Sequence, residues 1–491
     1  MLFNSLHFLI FFPVVTGLYF LLPHRIRWAL LLAASCYFYM VFRPIYILIL
    51  VFTIVVDYTS GIAIENAHGG RRKAFLIASL MANIGCLSFF KYYNFLDDAI
   101  THILGLGGLR NPIPFLQILL PIGLSFHVFQ SLSYTIEVYR GRYAAERHFG
   151  IFALYVMFYP QLVAGPIERP QNLLHQFRER HNFDYQRVVF GLQLMVFGMF
   201  KKVMIADRLA SFANRVYDAP HSYTGVSFVV ATLCFTFQIY CDFSGYSDIA
   251  LGSAQVMGFT LMKNFDRPYF SKSVAEFWKR WHISLSSWFR DYLYIPLGGS
   301  RVSRPRWYFN LLFTFLISGL WHGANWTYVF WGGLNGLYLI METLLTRPAM
   351  SLFPSGFLGR WRLPVRAVRA GVTFTLICIS WIFFRARNLA DAFYILSRLF
   401  DGFGTLPADI GSAAFVKTNI LMMQDKMDAC IACVCVMILL SIHWIQRRHS
   451  VRALLAAQRP WVRWGVYYAA VAGLLFFGAF NSSQQFIYFQ F

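Results

Sequence analysis

Two histidines carry the chemistry this chain can do. His322 lies in Trp321-His322-Gly323, inside a run with no Asp, Glu, Lys or Arg from Trp307 to Met341. As one helix, that run would measure about 50 Å against a hydrocarbon core of roughly 30 Å, so it must tilt, break or turn back. Gly323 is the expected break point. A titratable imidazole at membrane depth is costly and marks chemistry or transport. His282 follows Trp278 by four residues and precedes Leu285 by three, which puts it on the aromatic side of a helical pattern. Imidazole, with its near-neutral pKa, suits proton transfer or stabilisation of a developing charge. A packed interfacial histidine is the plain alternative for His282.

The segment around His282 predicts one amphipathic helix. Ser273-Val-Ala-Glu276 has capping-box spacing, and Val274, Phe277, Trp278, Trp281, Leu285, Trp288, Phe289 and Tyr292 recur at three- and four-residue intervals. Pro296 and Gly298-Gly299 end it. Lys279, Arg280, Arg290 and Asp291 are too many charges for a lipid-facing span, so the helix belongs at the cytoplasmic interface or tucked inward. Asp242 and Asp248 sit in the polar stretch Tyr240–Asp248, where two apolar runs, 224–241 and 245–260, meet. They are either loop residues at the membrane edge or polar lining of a cavity.

The elements that position these residues are membrane helices. The chain is 58% hydrophobic and 13% charged, about half the charge of a soluble protein. Apolar runs predict an all-α integral membrane protein, a multi-pass helical bundle of about eleven spans plus re-entrant and amphipathic pieces. Residues 5–22 are expected to be a retained helix rather than a signal peptide, because no basic n-region precedes them. Polar breaks at Tyr159-Pro160-Gln161 and Gly165–Pro170 fit a re-entrant loop. No soluble domain interrupts the pattern, so residues 1–491 are expected to form one membrane domain, with a cytoplasmic segment at 263–306 and the His322 segment at 307–345.

The 43 Lys and Arg against 22 Asp and Glu leave a net charge of +21. These cations sit between apolar runs, as expected for cytoplasmic loops against anionic lipid headgroups, and no nucleic-acid motif accompanies them. Arg25-Ile26-Arg27, Arg71-Arg72-Lys73 and Arg140-Gly141-Arg142 follow the first, third and fifth runs and so share one side. That side is the cytoplasm if the N-terminus is periplasmic, and 263–306 and 446–464 should join it. No GxxxxGK[ST] points to ATP-driven transport, no GxSxG to a serine esterase, and no histidine begins HxxxxD. The eight cysteines, including Cys430, Cys433 and Cys435, are expected to be small buried thiols, with no metal site. Gly332 and Gly336 form a GxxxG that predicts close helix packing.

Long ordered motifs then carry a resemblance. Asn264-Phe-Asp-Arg-Pro268 leads through Glu276-Phe-Trp-Lys-Arg-Trp-His282 to Leu-Gly-Gly299, and Gly319-Leu-Trp-His322-Gly-Ala324 follows. Leu120–Phe126, Tyr139-Arg-Gly141, Phe158-Tyr-Pro-Gln161 and Gly165-Pro-Ile-Glu-Arg-Pro170 belong to the same pattern. The chain resembles the membrane-bound O-acyltransferase family, in its bacterial alginate O-acetylation branch, over essentially its whole length. The resemblance implies His322 as catalytic histidine and His282 as the second polar position, meeting in a central tunnel. Trp281, Ser284, Trp321, Asn325, Asp242 and Asp248 are the expected tunnel lining. It implies an inner-membrane enzyme passing acetyl groups from a cytoplasmic donor, acetyl-CoA as substrate with no bound cofactor, toward an exopolysaccharide such as alginate. It also implies a periplasmic partner of serine hydrolase-like type.

The last residues, Phe486-Ile-Tyr488-Phe-Gln-Phe491, resemble the C-terminal motif of the companion peptide in the teichoic-acid D-alanylation system. That likeness makes Tyr488 a candidate covalent acyl relay; an interfacial aromatic anchor is the alternative. Two other functions fit parts of the pattern: a transporter of acyl donor or polysaccharide intermediate without chemistry, and D-alanyl transfer from a carrier protein.

Overall fold

In hydrocarbon a backbone amide finds no water, so apolar segments close their own hydrogen bonds as helices. The computed structural model describes residues 1–117, 120–352, 358–480 and 486–487, and every regular element among them is helical. Six helical stretches among the described residues are long and apolar enough to cross a membrane: Pro44–Asn66, Gly69–Leu106, Tyr185–Asp218, Val226–Met257, Pro364–Arg385 and Lys426–Ile445. Leu6–Leu21 is a shorter apolar helix. The protein is a multi-pass, all-helical membrane protein. Large apolar side chains face outward, Phe476, Leu21, Leu6 and Trp461 among them, as lipid-facing helices require.

Several apolar runs differ from the helices they become. Runs 224–241 and 245–260 fuse into one 32-residue helix, Val226–Met257, because the polar stretch between them faces protein rather than solvent. The run 114–136 yields a helix only from Leu124 to Tyr139. The run 150–165 stops being helical at Met157 and continues as turns around Tyr159–Val163.

Two compact units share the chain, residues 1–195 with 246–263, and residues 196–245 with 264–491. In the first unit a buried carboxylate ties three helices together. Asp57 on Ile47–Asn66 accepts the Ser79 hydroxyl at 2.6 Å, the Asn83 amide at 2.8 Å and the Ser131 hydroxyl. Such a carboxylate is tolerable only because its lone pairs are used. The non-helical segment after Met157 is fastened in the same way. The Gln161 amide donates to the Tyr155 carbonyl at 2.8 Å, the Tyr155 hydroxyl donates to the Glu168 carbonyl at 3.0 Å, and the Glu168 carboxylate accepts Asn172 at 2.6 Å and the Met262 N–H at 2.5 Å.

The second unit is built on an aromatic core that includes Trp281, Trp331, Trp381 and Phe384. Against it folds a helical hairpin, Arg304–His322 and Trp326–Leu352, turning at Gly323, the expected break point. Gly319 and Gly332 let its arms touch at the backbone: a methyl at Gly319 would sit 2.2 Å from the Tyr328 carbonyl oxygen, and one at Gly332 2.2 Å from that of Phe315. The predicted glycine packing is therefore present, with Gly319 as a member the GxxxG pattern did not include.

Candidate active site

The segment 274–292 is not the single helix its periodicity predicts. Val274–Trp278 ends, His282 takes a left-handed conformation at φ 45°, Ile283–Phe289 restarts, and Arg290–Tyr294 widens into a π-turn. The cause is a pair of long-range ties that spacing along the segment cannot reveal. The Ile283 N–H donates to the Asn264 carbonyl at 2.9 Å, and the Ser284 hydroxyl donates to Asn264 Oδ1 at 2.6 Å. The Asp266 N–H meets the Arg280 carbonyl at 3.0 Å. These bonds hold the chain on both sides of His282 and offset the strain of a non-glycine residue at positive φ. The capping box is half-formed: Ser273 Oγ accepts the Glu276 N–H at 3.0 Å, but the Glu276 carboxylate turns to the Lys272 N–H at 2.8 Å.

His282 is 1% exposed, with its ring 4.6 Å from that of Phe243 and 6.0 Å from that of Trp321. His322 ends its helix and is 4% exposed. Its ring meets Trp321 at 5.0 Å, Trp331 at 5.1 Å and Phe384 at 5.3 Å, each close to edge-on. Trp321 thus touches both imidazoles, and the two histidines share one aromatic enclosure. Burial pushes the His282 imidazole down to about 3, so it is neutral at physiological pH.

The other candidates fall in distinct places. Trp281 stacks on Phe277 at 5.4 Å and packs on Trp381 at 5.0 Å beneath the His282 turn. Ser284 is spent on Asn264. Asn325 spans the hairpin turn, accepting the Thr327 N–H at 3.0 Å and donating to the Arg387 carbonyl at 3.0 Å. Asp242 is not in a loop; it lies inside Val226–Met257, 2% exposed. Asp248 is on the same helix, half-buried, and belongs to the first unit, so the structure does not group it with the histidines. Cys241, Cys378 and Cys435 are buried as expected, whereas Cys430 and Cys433 lie on the outer face of their helix. Tyr488 lies outside the described residues.

Sequence reasoning missed a cationic partner. Lys202 Nζ pairs with Asp242 Oδ1 at 2.8 Å and Asp207 Oδ1 at 2.6 Å, and Lys201 Nζ donates to Ser244 at 3.0 Å. The available signal was Lys201-Lys202 inside an otherwise apolar run, since lysines there need acidic partners. It missed Asn264 too, which carries no period of its own.

Comparison with known proteins agrees with this architecture. The model of MBOAT, the membrane-bound O-acyltransferase family, matches residues 116–384, a span that includes both histidines. A protein named probable alginate O-acetylase AlgI from Pseudomonas aeruginosa is 42% identical over 410 residues, covering 82% of this chain and 76% of its own. The protein of the same name from Azotobacter vinelandii is 40% identical over 424 residues, covering 86% and 82%. A peptidoglycan O-acetyltransferase from Helicobacter pylori is 33% identical over 394 residues, covering 74% and 72%. With more than half its length matched and these identities over most of each partner, the chain belongs to the membrane-bound O-acyltransferase family.

Proposed function

We propose that this protein moves acetyl groups from a cytoplasmic thioester, acetyl-CoA, to hydroxyls destined for a polysaccharide outside the inner membrane, alginate or a related polymer. Two relatives named for alginate O-acetylation and one for peptidoglycan O-acetylation support a polymeric sugar acceptor. The observation that carries the chemistry is the aromatic enclosure of His322, reached at a helix break inside a charge-free run and shared through Trp321 with His282.

In this reading His322 is the general base. It takes the proton from an attacking hydroxyl as the oxygen bonds to the thioester carbonyl carbon; the C–S bond breaks and the thiolate leaves with the electron pair. Such proton transfer contributes about 10²–10⁴-fold. His282, neutral in its apolar surroundings, orients the donor or steadies the developing oxyanion. Trp281, Trp321, Ser284, Asn325 and Asp242 would line or brace the path, within a bundle of about eleven spans around a tunnel.

A bilayer separates a cytosolic thioester from an external sugar, so a relay is needed. Tyr488 is the proposed relay, handing acetyl to a periplasmic partner with a serine hydrolase-like site. Its support is local: Phe486 and Ile487, which precede it, are buried in the unit that holds both histidines. Full acetylation by Tyr488→Phe would remove the relay from the scheme.

The test is acetate released by mild base from secreted polysaccharide, comparing wild type with His322→Ala and His322→Gln at matched membrane levels. Loss of on the order of 100-fold or more in both variants is expected. Substantial acetate with His322→Gln, which keeps shape without basicity, would favour a transporter over an enzyme.

A further inference from the structure

The buried ion cluster has one ligand from far along the chain, the Ile487 N–H. Asp242 Oδ1 pairs with Lys202, and Asp242 Oδ2 accepts the backbone N–H of Ile487 at 2.7 Å. Lys202 also serves Asp207, so one ammonium is shared between two carboxylates. A carboxylate withdrawn from water needs every lone pair engaged. An amide donor from a distant stretch of chain supplies what the lysine cannot.

Two further bonds tie the same late segment to the same region. Phe200–Ala206 is a π-helical turn, in which the Asp207 N–H closes on the Lys202 carbonyl rather than on that of Val203. The Val203 carbonyl accepts the Ala479 N–H at 3.0 Å. Arg208, paired with Asp428, donates to the Phe477 carbonyl at 2.5 Å. π-turns recur at functional positions because they re-aim backbone groups.

We propose that Asp242, clamped by Lys202, is a positioning residue: it is the docking point that holds Phe486 and Ile487 next to the His282 enclosure. Phe243, the next residue after Asp242, has its ring 6.2 Å from that of Phe486 and 4.6 Å from that of His282. One step of the Val226–Met257 helix therefore carries both the anchor of the late segment and the wall of the histidine enclosure. The seated segment completes that wall. The consequence for acetyl transfer rests on the functional reading above; the docking itself does not.

Hydrogen–deuterium exchange on the full-length protein in detergent reads the docking alone. The amide of Ile487 is expected to exchange on the order of 100-fold more slowly than a free peptide amide. Asp242→Ala should bring it close to the free rate while amides within Val226–Met257 keep their protection. Exchange of Ile487 at the free rate in wild type, or protection unchanged in Asp242→Ala, overturns the proposal. If Asp242→Ala does not fold, Ile487→Pro removes the donor and leaves the ion cluster intact; polysaccharide acetate should then fall about tenfold or more, as expected when a reacting group is displaced. Unchanged acetate overturns the positioning role. A protected Ile487 amide together with normal acetylation by His322→Ala would instead sink the catalytic reading and leave the docking standing.

Discussion

His282 is surrounded by rings and backbone, so its folded pKa falls to about 3 from an ordinary 6.5. Between those values an unfolded chain binds a proton that the folded chain refuses. Stability should therefore fall as pH drops below 6.5, by about 1.4 kcal/mol per pH unit for this one group. Thermal unfolding of the purified protein from pH 7 to pH 4.5 should show a shallower decline in His282→Gln than in wild type; parallel curves would refute the assignment. Lys202 makes the opposite case, a buried cation whose partners depend on it. Lys202→Met leaves Asp207 and Asp242 facing each other without a counter-charge, and a loss of about 3–5 kcal/mol is expected. A midpoint within a degree or two of wild type in the same assay would show that the carboxylates find other partners.

At the scale of elements, two devices set the histidines. The hairpin places His322 by backbone contact at Gly319 and Gly332, where a side chain has no room. Gly332→Val must push the arms apart. Folded protein recovered by size exclusion should drop severalfold, since overpacking of this kind costs about 1–3 kcal/mol or more. Recovery equal to wild type would mean the arms slide without harm. The second device is Asn264, whose side chain and carbonyl hold the turn at His282. Asn264→Ala keeps the carbonyl and loses the side-chain bonds, at a cost of about 1–3 kcal/mol with Ser284 left buried. Acetylation should fall more steeply than protein level, because the left-handed His282 turn relaxes; a drop in strict proportion to protein level would make Asn264 a stability residue only.

For the whole molecule, the charge pattern predicts an orientation. By their Lys and Arg content, 263–306 and 446–464 should face the cytoplasm. Single cysteines placed at Arg301 and Arg448, in a background without native cysteines, should react with an impermeant maleimide only after the inner membrane is opened. Labelling in intact spheroplasts would reverse the orientation and with it the side from which the acyl donor enters.

Much of this protein follows from its sequence alone. Low charge and long apolar runs require a helical membrane protein, because hydrocarbon offers backbone groups no other partner. The charge-free run around His322 exceeds one span, and of the ways to fit it (tilt, break or turn back) the chain takes the turn at Gly323. Local periodicity could not reveal the rest. The single helix expected over 274–292 breaks because Asn264 and Asp266 bond to residues 14 to 20 positions away along the chain, and no pattern within the segment encodes those bonds. Asp242 and Asp248 interrupt an apolar run yet do not interrupt a helix, since Lys202, distant in sequence, neutralises the charge where Asp242 is buried. Hydropathy is additive along the chain and so legible from it. Hydrogen bonds and ion pairs are pairwise between remote residues, and only the tertiary structure decides which pairs meet.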